Sequence, residues 1–226
     1  YRDFEPRIQK LLDTHISASE VVQLNAPVNI FDEAAFQKVV EEQGAGNEKN
    51  LGAKADTIAH ATKRAIQERL EQDPAFYAKF SRLIQQAIDD YRARRLSDLE
   101  YLQRVTEIRG AVVSRRGDDL PPALTQDADA AAVYGLLRPF VANHLTDAER
   151  ATTTAAEAAR AVWDIFRRNR KVGYWDDLDA QRRTMNEIDD YLYDEVKGTR
   201  GIALSTDEMD EIIEKAMQLA RHRMVV

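Results

Sequence analysis

The sequence predicts an all-α protein, an irregular multi-helix bundle that can include a short extended segment near residues 20–31. Apolar residues recur at steps of three and four along most of the 226-residue chain, as on one face of a helix. Residues that favour helix N-termini precede these apolar stripes. No alternating apolar and polar run is long enough to build a sheet. These signals together predict about eight or nine helices.

Residues 1–50 form a predicted N-terminal lead segment of short helices and extended chain. Helical spacing predicts a short helix over residues 3–13, with apolar positions Phe4, Ile8, Leu11 and Leu12. Residues 21–31 flank a proline and are typical of extended chain. Asp32 then caps a predicted helix. A glycine-rich stretch over residues 44–50 predicts a loop.

The clearest helix signals lie between residues 51 and 113. Asp73 and Pro74 open a helix as N-cap and first helical residue, because proline's missing N–H costs nothing there. Its apolar stripe contains Phe76, Phe80, Leu83, Ile84, Ala87, Ile88 and Tyr91. Asp56 is a candidate N-cap for the preceding helix. Ser97 and Glu100 have the spacing of a capping box, which opens the following helix.

A long loop is predicted at residues 114–126, where paired charges and paired prolines cannot continue a helix. Because both flanks are amphipathic, we interpret residues 51–226 as one helical bundle domain. A helix starts again at Asp127, and Gly135 and Pro139 are expected to weaken or bend it.

Three further helices follow in the last third of the chain. Residues 146–149 and 205–208 each match a capping box. Between them, residues 172–175 form a break, and Asp176 or Asp177 caps the next predicted helix.

Composition restricts the possible functions. The net charge of −7 and the pI near 5.3 disfavour a surface built to hold nucleic acid over its whole area. The absence of cysteine excludes disulfides and cysteine-ligated zinc, and it fits a cytoplasmic protein. No apolar run approaches the length of a membrane span. Because the chain starts with Tyr1 and no signal-like stretch follows, we interpret it as a piece of a longer protein.

The sequence predicts no catalytic, cofactor or metal site. It lacks the glycine-rich phosphate loops and the nucleophile elbow, and its four histidines lack the spacing of metal ligands. Glu195-Val196-Lys197 matches a string found in some metal-dependent nucleases. It ends a predicted helix, however, where a lysine simply suits the helix dipole.

Two basic clusters remain as candidate contact surfaces, and the second is the candidate partner interface. The first cluster is Arg92, Arg94 and Arg95. The candidate partner interface consists of Arg167, Arg168, Arg170, Lys171, Tyr174 and Trp175. Cations are favoured at helix C-termini by the dipole alone, and a tryptophan can equally be a core residue. Arginine beside aromatic residues is also enriched at protein contact hot spots.

Several strings stand in a fixed order along the chain, namely Val21–Ile30 with Pro27-Val28-Asn29-Ile30, Lys54–Ile58, Asp73–Tyr77, Phe80-Ser81 and Leu96–Leu102, followed by Trp175 and the last two helices. In this order and spacing they resemble the C-terminal helical region of the R subunit of type I restriction enzymes. The resemblance covers about two-thirds of the chain.

The resemblance implies a domain without catalytic function. The R subunit of this family carries a nuclease, an ATP-driven DNA translocase and a C-terminal helical region that helps dock it onto the methyltransferase core. We therefore expect a bacterial docking and assembly domain that contacts this core, contacts DNA only weakly or indirectly, and does not enter a membrane. Two alternatives remain open: an independent helical adaptor that binds another protein, and a nucleic-acid contact module.

Overall fold

The computed structural model describes residues 29–44, 51–115 and 120–224, with side chains from residue 39 to residue 44 excepted. This described part contains eight α-helices and no strand, which confirms the predicted all-α multi-helix fold. The helices are α1 (Glu33–Gly44), α2 (Leu51–Arg69), α3 (Pro74–Arg92), α4 (Asp98–Ser114), α5 (Ala128–His144), α6 (Ala148–Asn169), α7 (Leu178–Tyr191) and α8 (Thr206–Arg223). In the described part, every helix is too short or too polar to cross a bilayer.

Three predicted segments fall wholly or largely outside this description, one of which is the loop predicted over residues 44–50. The helix predicted over residues 3–13 lies outside the described residues, as does most of the extended segment predicted near residues 20–31. Its described end, at residues 29–32, is a turn in which the Asp32 N–H donates to the Asn29 carbonyl at 3.3 Å.

Helices α1 to α4 surround one hydrophobic core. Helix α2 packs against both α3 and α4, and α1 packs on α2. Ile30 and Phe36 belong to this core, so this part of the predicted lead segment packs with the bundle. The predicted stripe of α3 is largely confirmed, with Phe76, Phe80, Ile84, Ala87 and Ile88 buried. Tyr77, which the spacing did not predict, is also buried, whereas the predicted Leu83 and Tyr91 are half-buried at the edge of the core.

The local capping signals of this half are confirmed, with one exception. The Asp73 carboxylate accepts a hydrogen bond from the Phe76 amide, and Ser97 forms a reciprocal capping box with Glu100. The prediction for Asp56 is wrong. Helix α2 already begins at Leu51, so Asp56 lies inside it and accepts a hydrogen bond from the Tyr101 hydroxyl at 3.1 Å.

Because Tyr101 is buried, this half is expected to lose stability at alkaline pH. Burial, together with the nearby Asp56 carboxylate, raises the pKa of Tyr101 well above its usual range. The unfolded chain releases this proton from about pH 10 upward, whereas the folded chain retains it. Unfolding therefore becomes easier as the pH rises past 10.

We expect the free energy of unfolding to fall less steeply above pH 10 in Tyr101→Phe than in the original chain. Urea unfolding measured at several alkaline pH values tests this expectation. The exposed Tyr193 supplies the control, because Tyr193→Phe should leave the slope unchanged. Equal slopes for all three proteins would show that Tyr101 does not carry the effect.

Helices α5 to α8 surround a second core, within which α5 and α6 make the most extensive contact. Asp127 caps α5, as predicted, and α5 continues unbroken through Gly135 and Pro139. The capping box predicted at residues 146–149 is wrong, because its first residue, Thr146, is not the N-cap of α6. Asp147 takes that role, and its carboxylate accepts from the amides of Glu149 and Arg150 at 3.0 Å each.

The last two helices begin where the sequence predicts. Asp177, one of the two predicted candidates, caps α7, and Ser205 forms the predicted capping box with Glu208. Helix α7 then continues into a π-helical segment, Leu192–Thr199. Leu192 and Val196 of this segment are buried in the same core as Ile188.

The two cores meet along a seam between α3, α5, α8 and the short 3₁₀ turn Leu70–Gln72. A methyl group added at Gly135 would lie 2.6 Å from the Ala75 Cβ, so this glycine permits α3 and α5 to approach closely. At the other end of the seam, Arg223 of α8 donates to the Gln72 carbonyl at 2.7 Å and pairs with Asp129 at 2.7 Å.

Candidate partner interface

The candidate partner interface lies where α6 turns into α7. Helix α6 ends at Asn169, and Arg170 continues as extended chain. Gly173 adopts a left-handed conformation with φ of +70°, which a residue with a side chain rarely adopts. The chain reverses there and forms the 3₁₀ turn Tyr174–Asp176 before α7 begins at Leu178. We call the surface from Arg167 to Leu178 the α6–α7 corner.

Arg167 connects the corner to the start of α5. Its guanidinium donates to Asp127 at 2.7 Å and to Asp164 at 3.1 Å. Although partial burial opposes it, hydrogen bonding from the Ala130 amide and from Arg167 lowers the pKa of the Asp127 carboxyl. Arg167 therefore already has two carboxylate partners within the folded chain.

Arg168 and Lys171 are also paired with carboxylates of the chain. Arg168 donates to Glu187 of α7 at 3.3 Å, and Lys171 donates to Asp177. The hydrogen bond from Lys171, with that from the Ala180 amide, lowers the pKa of the Asp177 carboxyl. Arg170 is exposed at the end of α6. The corner consequently carries both signs of charge rather than a purely positive patch.

The two aromatic residues differ in their accessibility. Tyr174 has no exposed surface and belongs to the second core, so its side chain cannot contact a partner of the folded chain. This corrects its inclusion in the candidate interface. Trp175 is half-buried, its ring packs edge-on against Tyr174, and its Nε1–H donates to the Met224 carbonyl at 3.3 Å. Trp175 thus connects the corner to the end of α8.

Two apolar residues outside the predicted set are exposed at the corner. Val172 is 93% exposed at the tip of the turn, and Leu178 is 64% exposed at the first position of α7. A signal for Leu178 was present, since it falls off the stripe of α7 that buries Ala180, Thr184 and Ile188. For Val172 only its position in a break between helices was informative.

Within the described ranges, no group of three histidine or acidic side chains is placed to hold a metal ion. The Glu195-Val196-Lys197 string lies in the π-helical segment, where the Lys197 amine is 5.5 Å from the Tyr193 ring. The corner presents two exposed apolar side chains, Val172 and Leu178, in a segment that also carries exposed charged residues.

Comparison of the chain with protein-family models, with curated proteins and with solved structures gives no significant match.

Proposed function

We propose that this chain is a non-catalytic helical docking domain of a type I restriction enzyme R subunit, and that it binds the methyltransferase core. The resemblance in sequence supports the identity of the parent complex. The observation that supports docking is the exposure of Val172 and Leu178 at the α6–α7 corner, beside the half-buried Trp175. Apolar side chains in this setting are typical of a protein contact.

Charge pairing favours a protein partner over DNA. A DNA-binding surface must neutralise phosphates with lysine and arginine, so its cations need to be available. At the corner, however, Arg167, Arg168 and Lys171 each pair with a carboxylate of the chain itself. A DNA phosphate would have to displace those carboxylates, whereas a protein surface can add polar contacts around them.

An independent helical adaptor would use the same exposed pair, so the corner alone does not separate the two assignments. The identity of the partner does separate them. A docking domain of the restriction complex binds the methyltransferase core, while an unrelated adaptor does not. ATPase motifs encoded upstream of Tyr1 would support the first assignment.

We expect Val172→Asp combined with Leu178→Asp to weaken binding to the methyltransferase core about tenfold or more, because central apolar contacts carry most of the affinity of an interface. A pull-down with purified core measures this change. Leu99→Asp is the matched control, since Leu99 is 53% exposed at the start of α4, in the other half of the molecule. It should bind as the original chain does.

A second variant pair examines the charges. Arg168→Glu with Arg170→Glu should weaken core binding less than the apolar pair does, since exposed charges at the edge of an interface contribute little. A DNA gel shift at physiological salt is run in parallel. Equal core binding by the apolar double variant and the original chain would remove the corner from the interface. Tight DNA binding without core binding would replace docking with nucleic-acid contact.

A further inference from the structure

A groove of about 620 Å³ runs along the seam between the two cores. Its walls come from the start of α3 on one side and from α5 and α8 on the other. The apolar residues in it are Pro74, Ala75, Leu136, Pro139, Phe140 and Leu219. Pro74, Ala75 and Pro139 are exposed, and Leu136 and Phe140 are half-buried, so the groove presents apolar surface to water.

The charged groups at the rim of this groove have partners within the chain. Lys215 donates to Glu211 at 2.5 Å, and its amine lies 5.3 Å from the centre of the Phe140 ring. His222 lies 3.4 Å from the Glu71 carboxylate. Because these groups are paired, the groove favours an apolar occupant over a charged small molecule.

The first described residues of the chain are fixed to α2 and α4 of the first half. Ile30 is fully buried, and Arg109 donates to its carbonyl at 2.7 Å. The Arg69 guanidinium stacks 3.6 Å from the centre of the Phe31 ring. Arg69 is two residues before Glu71, which lines the groove. The described chain therefore begins against α2, the helix that leads directly into the turn Leu70–Gln72 and so into the groove wall at Glu71.

The residues before this attachment point have the length and the pattern to occupy the groove. A helix over residues 3–13, as the sequence predicts, would be about 16 Å long and would carry one apolar face. The intervening residues 14–28 can span up to about 50 Å when extended. Such a tether raises the effective concentration of the apolar face at the groove to the millimolar range.

We propose that residues 3–13 of this chain cover the groove, with the apolar face of Phe4, Ile8, Leu11 and Leu12 on its floor. An amphipathic helix in an apolar groove is a recurrent mode of recognition, and it removes both apolar surfaces from water. The segment contacts α3 of the first half together with α5 and α8 of the second, so it stabilises the packing of the two halves.

The absence of cysteine in the sequence allows single thiols to report on this contact. Gln218 is exposed on the groove rim, so Gln218→Cys places a thiol there. We expect Gln218→Cys to be alkylated about tenfold more slowly in the full chain than in the same chain that also carries Ile8→Asp and Leu11→Asp. Leu99→Cys is the control, and its alkylation rate should not depend on those two substitutions.

A reciprocal measurement keeps the test decisive if the two aspartates disturb folding. In the otherwise original chain, Ile8→Cys should be alkylated more slowly under native conditions than in urea, because its side chain is covered. Equal Gln218→Cys rates with and without the aspartates, together with an unprotected Ile8→Cys, would overturn the proposal. Protection that grows with protein concentration would also overturn it, since a second copy would then be the occupant.

Discussion

Phe80→Ala should lower the free energy of unfolding by about 3–5 kcal/mol, the usual cost of truncating a buried phenylalanine. Phe80 is 3% exposed, and its ring lies 4.8 Å from that of Phe76 within the first core. Removing the ring loses the transfer free energy of its apolar surface and leaves a cavity that α3 and its neighbours cannot fully close. Urea unfolding measures the loss.

Phe31→Ala is the appropriate comparison for this substitution. Phe31 is half-buried and packs against the same core from its edge, so its truncation leaves an opening that water can fill. We expect a distinctly smaller loss of stability than for Phe80→Ala. An unchanged unfolding midpoint for Phe80→Ala would show that the stripe of α3 does not form the core of this half.

Asp73→Ala should cost about 3 kcal/mol, because this carboxylate performs two tasks at once. It accepts a hydrogen bond from the Phe76 amide at 3.2 Å and thereby caps α3. Its other oxygen pairs with Arg115, the left-handed residue that ends α4, while the Arg115 guanidinium lies 4.6 Å from the centre of the Phe76 ring. The substitution therefore removes both a helix cap and the connection between the start of α3 and the end of α4.

Asp147→Ala separates these two contributions. Asp147 caps α6 with the same chemistry, yet it is exposed, and its carboxylate bonds are to the amides of Glu149 and Arg150. Its loss should cost about 1 kcal/mol, the typical value for a cap alone. If both aspartate substitutions lower the free energy of unfolding equally, the pair with Arg115 contributes nothing and the expected excess for Asp73→Ala is wrong.

Helix positions were predictable from the sequence because their signals are local. The caps at Asp73, Ser97, Asp127 and Ser205 each bond to an amide three residues away, so neighbouring residues contain the whole interaction. The apolar stripe of α3 was predictable for the same reason, since its spacing directly gives the buried face. Where two local readings compete, as at residues 146–149, spacing alone selected the wrong cap.

The candidate interface was only partly predictable. Its four cations were found as a cluster at the end of a helix, and their exposure follows from that position. Their pairing did not follow, because Arg167 meets Asp127 forty residues away in the chain, and Arg168 meets Glu187 on the next helix. Tyr174 and Val172 lie two residues apart in the same break, yet one is fully buried and the other almost fully exposed.

The sequence by itself determined the all-α class, most helix starts and the absence of cysteine chemistry, since these depend on residue type and on spacing within a few residues. The tertiary structure decided that the helices form two cores, that Gly135 lets those cores meet, and that an apolar groove follows their seam. These features depend on which faces of distant helices bury each other. The pairing of these faces is set by the packing of the whole chain, so no single stretch of sequence contains it.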